Sequence, residues 1–224
     1  MKLVLLLLAG IADPAADLES ARDRQDRAAL SKSIADLAAV ADKESNNAAA
    51  HYRLALAQSY LAEVGIEQRD KGQAKSAAEA GIRSAERAVA LKPDQSEYHR
   101  VLGTLCGQVI PANVLSGLKY GRCAQDAINK AIELDPKSSL GYLGRGVGNY
   151  YLPAAFGGGI DPAIRDFQKA IQLNPRLAEA HLWLGIALRK AGRNADARAA
   201  LAKAIELNPR RVWAKEQLDK TPAQ

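Results

Sequence analysis

Three histidines, two cysteines and a glycine-crowded run are the residues of this chain whose types could do chemistry. His51, His99 and His181 are enough in number for a zinc site, but zinc needs its ligand nitrogens within about 2.1 Å of one point. Each of the three lies four residues ahead of a small residue (Ala55, Gly103 and Gly185), and Tyr142 holds the same place ahead of Gly146. They are therefore equivalent positions on successive structural units, stepped by a helix-packing distance of ~8–10 Å or more. Structural packing is the reading for them, with no metal site. The run Gly144-Arg145-Gly146-Val147-Gly148 does not follow a strand, so it is not a dinucleotide fingerprint. No Ser/His/Asp pattern, nucleophile elbow, phosphate loop or metal-spaced acidic cluster is found, and the acids read as scattered, solvated positions. The chain is expected to be a non-enzyme without cofactors.

The elements that must carry these residues are helices. Apolar residues make up 48% of the 224 and aromatic ones only 5%, with alanine abundant, which disfavours strand-rich folds and favours closely packed helices. Two cysteines are too few for a disulfide-dense scaffold or a four-thiolate zinc site. The net charge of +6 arises wholly after residue 93, mostly beyond Leu188, where nine basic residues meet four acids. A nucleic-acid groove would add aromatic platforms there, and only Trp213 is available. A solvated, mildly basic end is the reading, and nucleic acid is not expected as a partner.

At the N-terminus Lys2 precedes an apolar run, Leu3 to Ala12, followed by Asp13-Pro14 and Ala15-Ala16. Residues 1–16 read as an export signal, although a short one, with a buried helix turn as the alternative. The run is too short to span a bilayer, which takes roughly 20 apolar residues. The expectation is a periplasmic or secreted protein without a transmembrane helix after cleavage, or a cytoplasmic one if the segment is retained.

The rest of the chain repeats. Small residues and a closing proline recur as Ala55, Gly81, Ala88, Pro93; Gly103, Ala124, Ala131, Pro136; Gly146, Ala163, Ala170, Pro175; and Gly185, Ala197, Ala204, Pro209. The last three of each set are spaced by seven and five residues in all four units. Apolar residues fall at helical spacing around each set, so every unit is a helix pair, A then B. These residues resemble the tetratricopeptide repeat (TPR), over about residues 48–209. The resemblance implies an all-α solenoid of helical hairpins, about four pairs with flanking helices. Unit boundaries fall at 48–93, 96–136, 139–175 and 178–209. Residues 17–47 read as a degenerate helical segment, with Leu30, Ile34, Leu37 and Val40 on one stripe. Residues 210–224 read as a capping helix and tail.

The spacing from the helix-A small residue to the first helix-B one varies: 12 residues in the fourth unit, then 17, 21 and 26 toward the N-terminus. These insertions are either loops on one edge of the array or longer helices. The third contains Pro153, Phe156 and Gly157-Gly158-Gly159, read as a mobile loop, with Asp161-Pro162 starting the next helix. A Leu-Pro…Phe-Gly-Gly insertion is similar to that of bacterial exported repeat proteins such as TRAP-transporter T components and, more distantly, to regulators of microtubule dynamics. Cys106 and Cys123 flank the second insertion. Two buried free thiols are the reading preferred here, with a bridge between helices A and B as the alternative. Gly141, Gly144, Gly146 and Gly148 crowd one helix, for close packing or for access by a ligand, packing being preferred.

What the TPR resemblance implies for function is a concave face built from helix A. Here it offers Tyr52, Tyr60, Arg100, Leu143, Val147, Tyr150, Tyr151, Leu182, Ile186 and Arg189 as candidate partner-binding residues, with Pro153, Phe156 and the glycine triplet on the insertion edge. The lysine, asparagine and arginine set that holds a terminal carboxylate in chaperone-binding members is absent. The expected role is a scaffold for a protein or peptide in the bacterial envelope. The alternative is a transport-accessory protein whose insertions close a pocket over an apolar small molecule. Nothing in the sequence sets the oligomeric state.

Overall fold

The computed structural model describes residues 14–110 and 114–223, and no strand occurs among them. Helices α1 (Pro14–Asp23) and α2 (Arg27–Lys43) precede four hairpins. These are α3 (Ala48–Glu67) with α4 (Lys71–Leu91), α5 (Ser96–Val109) with α6 (Val114–Leu134), α7 (Ser139–Tyr151) with α8 (Ile160–Leu173), and α9 (Ala178–Lys190) with α10 (Asn194–Leu207). Helix α11 (Val212–Asp219) follows. Of the leader read over 1–16, residues 1–13 lie outside the described residues, and Pro14–Ala16 open α1.

Polar caps fix several starts. The side chains of Asp26, Asn47, Asp70 and Ser138 accept hydrogen bonds from backbone N–H groups in the first turns of α2, α3, α4 and α7. The aligned small residues let the hairpins close. A Cβ on Gly81 would sit 2.5 Å from Leu105, one on Gly103 2.7 Å from Ile128, and one on Gly185 2.5 Å from Leu201. Buried Leu105, Ile128 and Leu201 fill the spaces so created, each worth roughly 1.5–3 kcal/mol over an exposed position.

The structure departs from expectation in some places and decides open readings in others. The stretch read as one degenerate helix is two, broken at Arg24–Asp26, and Val40 of its stripe is exposed while Leu30 is buried. The first insertion is helix: α3 and α4 run 20 and 21 residues and are joined through Gln68–Asp70. The second lengthens α6 to 21 residues. The third is a loop, and it is pinned rather than loose: Ala154–Phe156 form a 3-10 turn and Gly159 N–H donates to Asn149 O at 2.8 Å. Helix α8 starts at Ile160 with Gly159 as its cap, so Asp161 and Pro162 sit inside its first turn. Finally, Cys106 and Cys123 form a disulfide between α5 and α6, with Cα atoms 6.0 Å apart, rather than two free thiols.

Candidate protein-interaction surface

The three histidines do one structural job three times. Nε2 of His51, His99 and His181 each bonds a backbone carbonyl six residues upstream, of Ser45, Pro93 and Pro175, at 3.0, 2.7 and 3.0 Å. Each ring thereby ties the start of a helix A to the linker that enters it. The crowded glycines also resolve by contact. A Cβ at Gly141, Gly144 or Gly146 would meet Ile132, Ile128 or Phe167, whereas one at Gly148 meets nothing within 4 Å.

The candidate binding residues fall into three groups. Tyr150 and Tyr151 meet edge to face at 5.0 Å, and both approach Trp183, which in turn meets Trp213 at 5.3 Å. Lys190 Nζ lies 4.4 Å over the Tyr150 ring. Leu143 and Val147 pack half-buried beside this ladder. Tyr151 is 53% exposed and Phe156 72% exposed, so the ladder runs out toward the exposed edge formed by Pro153, Phe156 and Gly157. Gly158 is buried, since a Cβ there would lie 2.2 Å from Leu152 O.

In the second group, Tyr52 stacks on Tyr98 at 4.9 Å and donates to Glu97, which also takes a bidentate grip from Arg100 at 2.5 and 2.8 Å. These side chains are half-buried and held by one another. The third group is not on a free surface. Leu182 and Ile186 belong to the core between α9, α10 and α11. Arg189 is spent on Gln217 O, Gln217 Oε1 and Thr221 Oγ1. Tyr60 lies under α1, its ring 4.9 Å from the Arg22 guanidinium and its hydroxyl donating to Glu19.

Sequence reading missed the densest polar feature of the molecule. Arg211, only 1% exposed, donates through Nε to Glu179 at 2.8 Å, through Nη2 to Glu63 at 2.7 Å, and through Nη1 and Nη2 to Glu67. Arg22 pairs with Asp23 at 2.8 Å and lies 3.5 Å from Glu179, while Asn208 donates to Asp23 at 2.7 Å. The seam joins α1 and α3 to the last hairpin and its exit. Burial lifts the Glu63 carboxyl to about 7 and raises Glu67. Burial acts the same way on Glu179, but Arg211 and Arg22 outweigh it and hold that group below its usual range. The basic C-terminal end is thus not simply solvated. Arg189 and Arg211 are internal partners, and Arg198 donates to Thr221 O at 2.7 Å. The acids are not all solvated either, since Arg145 and Asn149 both grip the buried Asp166.

Comparison with known proteins now decides the family. Residues 16–151 match the family described as regulator of microtubule dynamics protein 1–3. The chain belongs to that family. Residues 157–192 and 178–211 of this family member match tetratricopeptide repeat families. Among curated proteins it is 36% identical over 97 residues to the small glutamine-rich tetratricopeptide repeat-containing protein 2 of Mycosarcoma maydis. That match covers 42% of the chain and 25% of the relative, so the chain spans about a quarter of that protein's length. Among solved structures it is similar to a thermophilic TPR protein of Thermus thermophilus, with TM-score 0.63 and 17% identity over 93% of this chain and 98% of that one. It is also similar to the HusA haemophore of Porphyromonas gingivalis, with TM-score 0.56 and 18% identity over 88% and 94%. At such identities these likenesses show the fold, a TPR solenoid.

Proposed function

We propose that this chain is a non-catalytic adaptor that binds a polypeptide partner in the bacterial cell envelope. TPR solenoids present extended concave surfaces to protein or peptide partners. The observation that carries the reading is the aromatic ladder from Trp213 through Trp183 and Tyr150 to the exposed Tyr151, beside a loop tip where Phe156 stands 72% exposed. Exposed aromatics next to a half-buried apolar strip are what a protein interface uses as anchors. The envelope assignment rests on the Lys2 to Ala12 run, and a Cys106–Cys123 bridge is in keeping with an oxidising compartment. A pocket closed over a small molecule has less support. The recess beside Gly65 and Gln108 has only about 190 Å³, and the larger one at Gly192–Asp196, about 300 Å³, lies open to solvent, so neither closes over a ligand.

The test is photo-crosslinking in cells, with a benzoylphenylalanine placed at Tyr151 or Phe156 and, as a control, at Glu206 on the back of α10. A discrete crosslinked polypeptide from the first two positions alone supports the adaptor. Crosslinks equal at all three, or none, overturn it.

A further inference from the structure

Arg69, Lys71 and Lys75 stand together where the first hairpin turns from α3 into α4, and none has a carboxylate partner among the described residues. The acid between them in sequence, Asp70, is taken by Arg27 at 2.9 Å and by the Gln73 N–H. The three cations line a recess with Ile66 and the buried Gly65 and Ala74. Its volume, about 190 Å³, is below the roughly 300 Å³ that a drug-sized molecule takes. It therefore offers a surface rather than a pocket.

The start of α6 adds a second cluster to the same place. Tyr120 donates to Glu79 of α4 at 3.2 Å, which sets this part of α6 against the α4 turn that follows Lys75. Lys119 Nζ lies 4.8 Å over the Tyr120 ring, and Arg122 pairs with Asp126. Leu118 is 80% exposed, more than any other large apolar side chain among the described residues. That side of α6 is open, for a Cβ added at Gly121, one turn on, would meet nothing within 4 Å.

One exposed leucine needs no explanation. Here it stands among six cations, counting Arg27, against three acids, and Asp70, Glu79 and Asp126 already hold partners. Such a face suits a partner that is apolar and anionic at once. Charge, not exposure alone, singles it out. Residues 152–159 of the third hairpin include Phe156 but no charged residue, and the linkers on the opposite edge are mixed, with Lys92 near Asp94 and Asp135 near Lys137. A side chain as bare as Leu118 has no groove around it, which a peptide would need and a fluid bilayer does not. No helix among the described residues is long and apolar enough to cross a membrane, so contact through this face is peripheral.

Going beyond the adaptor reading, we propose that this face docks the protein on a bilayer that carries anionic lipid. Leu118 enters among the headgroups, and Arg69, Lys71, Lys75 and Lys119 meet their phosphates.

The probe is co-sedimentation of the full chain with vesicles of phosphatidylcholine, with or without phosphatidylglycerol. The wild type should sediment with the mixed vesicles alone and leave them at high salt. Lys71→Glu combined with Lys75→Glu should weaken that binding at least tenfold, each cation being worth about fivefold. Leu118→Ser should weaken it about tenfold with the melting temperature unchanged, since the side chain is already in water, and it remains readable if the charge variant fails to fold. Lys92→Glu with Lys137→Glu, the same change of charge on the opposite edge, should have no effect. No binding to the mixed vesicles, equal binding to both kinds, or an equal loss in the Lys92 and Lys137 variant overturns the proposal. Duplex DNA that strips the protein from the vesicles overturns it too, by giving the cations to a nucleic acid. Crosslinks at Tyr151 and Phe156 without vesicle binding would remove this inference and leave the adaptor standing, and vesicle binding without those crosslinks would do the reverse.

Discussion

The first and third hairpins carry insertions of the same topological kind and use them in opposite ways. In the first, extra residues lengthen both helices, and the extension of α3 carries Glu63 and Glu67 across the molecule to Arg211. In the third, Pro153 stops the helix and the added residues form a turn whose tip, Phe156, faces solvent. The difference is chemical. Residues 62–75 contain no proline and are rich in helix formers, whereas 152–162 hold two prolines and three glycines. A helical insertion makes a rigid arm that closes the protein on itself, and a proline–glycine insertion makes an outward edge.

Breaking the closed side should cost most. Arg211→Met leaves Glu63, Glu67 and Glu179 buried without their shared cation, and about 3–5 kcal/mol of unfolding free energy should be lost in urea titrations. A loss under about 1 kcal/mol would mean that the seam is not structural. The second hairpin lies between the two cases, with a bridge across its long turn. Replacing Cys106 and Cys123 by serine opens a 17-residue loop and should cost about 3 kcal/mol, read in the same assay.

Acidity sharpens the contrast, because the closed side titrates. The Glu63 carboxyl, ordinarily at 4.5 and lifted by burial to about 7, faces Arg22 and Asp23 from α1, Glu67 from α3, Glu179 from α9 and Arg211 from the α10–α11 linker. The folded seam thus keeps a proton that the unfolded chain has released. Its contribution is full below pH 4.5 and is lost as pH rises through about 7. Glu67 is raised as well and acts in the same sense, while Glu179, held low, loses its share toward acid. Urea midpoints should be higher at pH 5.5 than at pH 8, and Glu63→Gln should flatten the difference. A wild-type profile that rises over that interval would refute the assignment.

The smallest effects belong to the third hairpin. Gly148→Ala, at an open helical position, should stabilise by up to about 1 kcal/mol, while Gly146→Ala should destabilise because its Cβ would lie 2.5 Å from Phe167. Phe156→Ser should leave the melting temperature within a degree or two, since the side chain is already 72% exposed. A large loss there would mean that the loop is packed in the free protein.

The repeats were legible because each small residue answers to one local contact, Gly103 to Ile128 and Gly185 to Leu201, at fixed spacing. The histidines were legible as equivalent positions for the same reason, though not the carbonyls they bind. The seam was not legible. Arg211 follows Arg210 just past a closing proline and looks like any surface pair, and its partners lie 144 and 148 residues away. Nothing periodic marks such contacts. The break before α2 has a local cause that the apolar stripe does not show: Asp26 caps α2 through Ala29 N–H, and its own N–H closes the end of α1 on Ala21 O. Leu182 and Ile186 were placed on the concave face by position in the repeat, but the helix that follows, α11, covers them.

The span of the seam also sets the order in which the molecule can be completed as the chain emerges from its N-terminus. Each hairpin closes on neighbours made just before it, so the array can assemble as it emerges. Glu63 and Glu67 instead wait for Arg211, and Asp23 waits for Asn208 across 185 residues. Long loops close slowly and late. Through most of its emergence the chain therefore has an unclasped first helix, and closing the seam is its final act of folding.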